Sequence, residues 1–177
     1  MNNIGRRIVV YGPTGSGKAT VARQISRRIS VPCVELDAIN WQPNWVEKPL
    51  EEFRAEVSAI LNSHTDGWVC DGNYSRVRDL ILPLADTVVW LRLPFRITFW
   101  RLLKRTLRRS RNGEQLWGTN RESMRQSFLS RNSLLLYALA NRRRYHPRIQ
   151  RALEGIPHNA TVFELRSVRE IEMFFKV

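Results

Sequence analysis

The 177-residue chain has two cysteines, Cys33 and Cys70, each beside a valine. So few thiols exclude a disulfide framework and a cysteine-built zinc site, and both read as small buried hydrophobes within strands. Its three histidines, His64, His146 and His158, share no metal-ligand spacing and read as surface residues. No run approaches the ~18 consecutive apolar residues of a membrane-spanning helix. The charged start MNNIGRR leads directly into a strand-like run rather than a leader, so a cytoplasmic protein is expected. Internal repeats, low-complexity tracts and an interdomain linker are also missing. What is present is globular: 43% apolar and 25% charged residues. This length suits one domain, residues 1–177, burying about 70% of its unfolded surface. Disorder, a collagenous chain and a mini-protein scaffold are excluded.

Acidic residues are scarce, 16 against 29 lysines and arginines, for a net charge of +13. The imbalance is local. Residues 101–151 hold 14 basic and 2 acidic groups, whereas residues 1–100 carry a net +2 and residues 152–177 a net −1. Such a run reads as a solvated face, as a contact for nucleic acid, or as an arginine-built site for phosphates.

Residues 7–11 (RIVVY) form a short apolar run that stops at Gly12, and residues 18–30 then place Val21, Ala22, Ile25 and Ile29 at helical spacing. A second strand, 34–36, leads to Asp37 and a loop containing Trp41, Pro43, Trp45 and Pro49. A helix over 50–62 follows, with Phe53, Val57, Ile60 and Leu61 on one face. Residues 68–70, 87–91 and 161–165 read as three further strands. Helical stretches are expected over 95–109 and 122–144, with Gly113 and Gly118 marking an irregular link. A capping box at Ser167 and Glu170 opens a last helix through Phe175. Apolar strands alternating with helices predict an α/β fold, a parallel sheet covered on both faces that binds ligands at the carboxyl ends of its strands.

Gly12, Pro13, Thr14, Gly15, Ser16, Gly17 and Lys18 fit G-x-x-x-x-G-K between a strand and a helix. Glycines let backbone N–H groups curl around a polyphosphate, the helix N-terminus adds positive potential, and the lysine reaches the β and γ phosphates. Ala19 stands where such loops carry a Ser or Thr hydroxyl for magnesium, and Thr20 is next. One helical residue rotates a side chain by about 100°, so Thr20 does not simply replace it. Three readings stay open: magnesium is held through water by Asp37 and Asp71, metal affinity is weakened, or ATP turnover is lost.

Asp71 ends an apolar strand before Gly72, a place from which its carboxylate faces the phosphate loop or caps the next helix. Asp37 follows the second strand, where an acceptor facing the γ phosphate would lie, or serves as a loop or cap residue. Trp41 and Trp45 offer flat walls for a ring, or anchor their loop. Arg101, Arg105, Arg108 and Arg109 share one helical face. Arg142, Arg143 and Arg144 read as a solvated helix end.

Together these motifs resemble P-loop small-molecule kinases of the adenylate-kinase-like group. Asp71-Gly72 resembles the start of the D-G-F-P-R signature, from which Asn73-Tyr74-Ser75-Arg76 departs by placing its arginine one position late. The chain is more similar still to the adenylate kinase-related, or topology modulation, proteins. That likeness covers most of its length: the glycine loop, Leu36-Asp37 with Trp41, Pro43 and Trp45, then Asp71-Gly72-Asn73-Tyr74, and an arginine-rich lid. The resemblance implies a three-layer P-loop fold, a five-stranded parallel sheet of order 2-3-1-4-5, and a mobile helical lid over about 101–145. It implies ATP and Mg2+ as cofactors, Arg101 near the adenine and Arg105 near the phosphates. Asn73, Tyr74 and Arg76 join Asp37, Trp41 and Trp45 on the acceptor side, and Arg121, Arg125 and Arg131 close from the far side of the lid.

The expected activity is transfer of the γ phosphate of ATP to a small hydroxyl or phosphate acceptor. Lys18 and the loop amides hold the phosphates, Asp71 organises magnesium through water, Asp37 orients the acceptor or takes its proton, and lid arginines neutralise charge. The rival is a nucleotide-binding regulator that contacts nucleic acid through residues 101–151, favoured by Ala19 and the concentrated charge. Nucleic-acid binding falls steeply and linearly in log salt, whereas nucleotide affinity in a closed pocket changes much less.

Overall fold

A computed structural model describes residues 4–112, 115–117, 120–121, 134–154 and 156–176. Five strands, β1 (Arg7–Tyr11), β2 (Cys33–Glu35), β3 (Trp68–Asp71), β4 (Thr87–Leu91) and β5 (Thr161–Leu165), form one sheet in the order β2-β3-β1-β4-β5. Every pairing is parallel. The helices are α1 (Lys18–Ile29), α2 (Leu36–Asn40), α3 (Leu50–Ser63), α4 (Arg78–Ile81), α5 (Phe95–Asn112), α6 (Leu134–Asn141), α7 (Tyr145–Leu153) and α8 (Val168–Lys176).

β3 and β4 are buried on both faces, as is β1 from Ile8 onward, which is why they read as nearly continuous apolar runs, whereas the edge strand β5 is exposed at Thr161 and Val162. Alternation along β1 divides the core. Val9 and Tyr11 face Phe53, Val57 and Leu61 of α3 and Ile149 of α7; Ile8 and Val10 face Val21 and Ile25 of α1 and Phe174 of α8. This is the α/β class and strand order anticipated from the sequence.

Three local expectations need correction. The second strand ends at Glu35, and Asp37 lies in the first turn of α2 rather than in a loop. The tryptophan segment is a two-stranded ribbon, Trp41–Gln42 against Val46–Glu47, around the turn Pro43–Trp45. The helix expected to run through 144 stops at Asn141, and α7 begins after a turn at residues 142–144. Pro147 explains the break: its ring clashes with the carbonyl four residues earlier, that of Arg143, but is tolerated in the first turn of a new helix. The portion expected over 122–133 lies outside the described residues, as do Gly113 and Gly118.

At α8 the serine half of the capping box forms, and the glutamate reaches one residue further back than the cap. Ser167 Oγ accepts from the Glu170 amide at 3.1 Å, and Glu170 Oε2 accepts from the Arg166 amide at 2.8 Å. Both cysteines are free. Burial pushes the Cys33 thiol up to about 12, so it stays protonated and inert at neutral pH. His158 is exposed, but His146 is only half-exposed, with Nδ1 buried. Among the described residues no helix is long and apolar enough to cross a membrane.

Candidate active site

The glycine loop spans residues 12–18 at the carboxyl end of β1, the central strand. Gly15 (φ 85°) leans on α5 so closely that a Cβ there would lie 2.1 Å from the Thr98 carbonyl oxygen. Gly17 (φ 90°) is the N-cap of α1, whose first turn carries no acidic residue, leaving the positive end of the helix dipole open to an anion. Ser16 is buried, and its hydroxyl turns back beneath the loop: a Cβ on Gly12 would meet Ser16 Oγ at 2.3 Å. Ala19 is half-buried, and Thr20 is exposed on α1. Arg101 Nη1 lies 3.4 Å from the Ser16 carbonyl oxygen, so this arginine of α5 sits against the loop. Arg105 follows one turn later on α5, half-buried.

Parallel register brings Asp71 beside Val10 of β1 and Glu35 of β2. The Asp71 side chain is buried and its Oδ1 has no hydrogen-bond partner. Burial pushes its carboxyl up to about 6, Asp37 and Glu35 push the same way, and Lys18 and Arg23 oppose them. An orphaned carboxylate oxygen beside the loop lysine fits a hard cation. Among the described residues no three acidic, histidine or cysteine groups form a metal cage. Those donors suit magnesium held largely by phosphates and water, with Asp71 behind the water, a mode this ion favours.

Asn73 clamps the first glycine of the loop. Its Nδ2 donates to the Gly12 carbonyl at 2.6 Å, its Oδ1 accepts from the Gly12 amide at 3.3 Å, and Tyr145 of α7 donates to the same Oδ1 at 3.0 Å. Next to it, the Tyr74 hydroxyl donates to Asp37 Oδ1 at 2.6 Å, which brings the two candidate acceptor residues together. Burial and the Asp37 charge push the Tyr74 hydroxyl well above its ordinary range, so it remains a donor. Arg76 is engaged elsewhere. Its guanidinium meets Glu47 Oε2 at 2.7 Å and the Lys48 carbonyl at 3.3 Å, over the ring of Phe53.

Trp41 and Trp45 meet edge to face with centroids 5.6 Å apart, and Trp45 meets Trp117 in the same way at 5.8 Å. Trp117 lies in the turn next to a second ribbon, Gln115–Leu116 against Asn120–Arg121, which follows α5. Asn120 is buried and ties the ribbons together. Its Oδ1 accepts from the Trp45 amide at 2.8 Å and its Nδ2 donates to the Gln42 carbonyl at 3.0 Å. Trp45 (φ 59°) and Trp117 (φ 41°) both occupy the left-handed region, where bulky side chains are rare. The two ribbons therefore hold each other at some backbone strain. Asn120→Ala should free the Trp45 amide, raising its hydrogen-exchange rate by about 5- to 30-fold, the equivalent of about 1–2 kcal/mol. An unchanged rate would show that Asn120 does not hold the ribbons.

Neither Asn120 nor Trp117 stood out in the sequence, although both lie in the glycine-marked link after α5. Arg121 belongs to the lid ribbon, while Arg125 and Arg131 lie outside the described residues.

Solved structures that share this fold include three kinases. A sugar kinase from Janibacter sp. HTCC2649 superposes with a TM-score of 0.54 at 19% identity, over 97% of this chain and 93% of that one. Shikimate kinase from Acinetobacter baumannii, in complex with shikimate, gives 0.53 at 19% identity, over 97% and 90%. Shikimate kinase from Bacteroides thetaiotaomicron gives 0.53 at 15% identity, over 97% and 94%. The fold is that of P-loop small-molecule kinases. At these identities the likeness is one of architecture. No protein-family model matches the chain, and no curated protein matches it in sequence.

Proposed function

We propose that this chain is an ATP-dependent kinase that moves the γ phosphate onto a small acceptor, and that it belongs with the adenylate kinase-related, or topology modulation, proteins. The observation that carries the reading is the glycine loop at the carboxyl edge of a parallel sheet, with the buried, unpartnered Asp71 carboxylate beside Lys18. The neighbours named above are kinases of a sugar and of shikimate, which supports a small hydroxyl-bearing acceptor.

Phosphoryl transfer needs mainly positioning and charge stabilisation. Lys18 and the amides at the α1 N-terminus hold the phosphates. Arg101, packed over the loop, adds a guanidinium on the lid side. Magnesium, when bound, supplies charge neutralisation between phosphates, and Asp71 would orient its water. Asp37, fixed by Tyr74, receives or orients the acceptor hydroxyl. Pinned by Asn120, the tryptophan ribbon forms the wall that excludes water from this side.

Asp37→Asn tests the division of labour. It keeps the Tyr74 hydrogen bond but not the charge, so the expected result is a fall in kcat of about 10²-fold, with ATP affinity unchanged by direct titration. Equal losses in kcat and in ATP affinity would move Asp37 out of the acceptor role.

A further inference from the structure

One cavity remains beyond these roles. It has a volume of about 350 Å³, near the lower end for small-molecule sites. Pro13 and Thr14 of the glycine loop form one side, and Leu93 ahead of α5 with Phe95 at its start another. Tyr137 of α6 and the buried Ile149 of α7 complete its apolar part. Neither Asp37 nor the tryptophan ribbon lines it. Asn73 does, and Asn73 is the residue that clamps Gly12, so an occupant would sit directly against the loop tip.

The charge of this cavity is one-sided. Arg78, Arg142 and Arg148 line it together with His146, which burial and the nearby Arg92 hold towards its neutral form, and no Asp or Glu does so among the described residues. That is not general to the protein's arginines. Arg23, Arg54, Arg76, Arg92 and Arg166 each pair with a carboxylate, whereas Arg78, Arg142 and Arg148 pair with none among the described residues. α5, α6 and α7 contain no acidic residue at all. Arg78 Nε and His146 Nδ1 are buried and without a hydrogen-bond partner. Guanidinium groups that no carboxylate neutralises, converging on one cavity, attract an anion and offer it charge-assisted hydrogen bonds.

We propose that this cavity binds the carboxylate or phosphate group of a small organic anion, which is the acceptor if the kinase reading on which that last step rests is correct. Arg142 and Arg148 reach the charged group from the solvent side, and Arg78 from below. The apolar wall takes the carbon skeleton, and the opposite end of the molecule leaves the cavity past Asn73, whose neighbour Tyr74 holds Asp37.

The test is binding by the full chain with a non-hydrolysable ATP analogue and magnesium at saturation, so that the loop's own β and γ phosphate positions are filled. Inorganic phosphate and acetate are titrated separately at constant ionic strength, following the His146 ring resonance by NMR, with His146→Gln to assign it. The expected result is a saturable shift with at least one probe. Which probe binds more tightly separates phosphate from carboxylate. The double variant Arg142→Ala with Arg148→Ala, two exposed positions whose loss spares the core, should weaken that binding about tenfold or more with affinity for the ATP analogue unchanged. No shift with either probe, or equal affinity in the variant, would overturn the proposal. Turnover distinguishes its failure from that of the kinase reading. A neutral acceptor phosphorylated equally well by wild type and variant removes the anion site and keeps the kinase. Arginine-dependent anion binding with no acceptor-stimulated turnover removes the kinase alone.

Discussion

Lys18→Ala is expected to fold normally and to lose phosphoryl transfer by on the order of 10² to 10³. The lysine opens α1 directly after the Gly17 cap, a position where alanine is equally compatible with the helix. Its ammonium is the larger of the two cations that oppose the burial of Asp71. Removing it therefore takes away the charge that meets the phosphates and drives the Asp71 carboxyl still higher. The loss should consequently be greater at pH 6 than at pH 8, because Asp71 spends more of its time protonated at the lower pH. The check is ADP release against pH for both proteins, with thermal unfolding as the folding control. Wild-type turnover by Lys18→Ala would contradict the role.

Asp71→Asn should separate stability from activity. A carboxyl whose value is raised from 3.8 to about 6 in the folded protein gives stability that is fully present below 3.8 and lost as pH rises through about 6. At neutral pH the wild type thus buries a charge at a cost of about 2 to 3 kcal/mol, and the neutral amide does not. The variant is expected to be more stable by that amount in urea unfolding at pH 7.5, with the gap closing towards pH 4. Turnover should fall on the order of 10²-fold, since the amide no longer orders magnesium-bound water. A variant less stable than wild type at pH 7.5 would show that Asp71 holds a favourable partner in the folded state. The strain left at this position is of the kind that functional sites keep at the expense of stability.

Much of this was legible along the chain because it is local. The glycine loop is read from contiguous residues, the strands from their apolar runs, and Asp71 from its place at the end of one. The resemblance to adenylate-kinase-like proteins added the strand order, which the structure has. What was not legible depends on distant partners. Asn73 meets Gly12 across 61 positions, and Asn120 meets Trp45 across 75. No period or spacing announces such contacts. Asp37 was seen, but not its helix, since five residues carry too little periodicity to separate a short helix from a loop. Pro147, by contrast, was a readable signal that α6 and α7 are separate helices. The basic cavity lay hidden for a different reason: Arg142 and Arg148 belong to a run that looks uniformly solvated until the fold sets Arg78 opposite them.

The most direct measurement is ADP release by purified protein with magnesium and ATP across nucleosides, nucleoside monophosphates, small hydroxy acids and sugar phosphates. The account predicts that at least one acceptor raises turnover well above the rate with ATP alone. It further predicts that Lys18→Ala removes the increase and that the effective acceptor carries a carboxylate or phosphate. ATP binding without stimulation by any acceptor would contradict the kinase and point to Ala19, in place of the magnesium-facing hydroxyl, as the reason the loop binds nucleotide without using it.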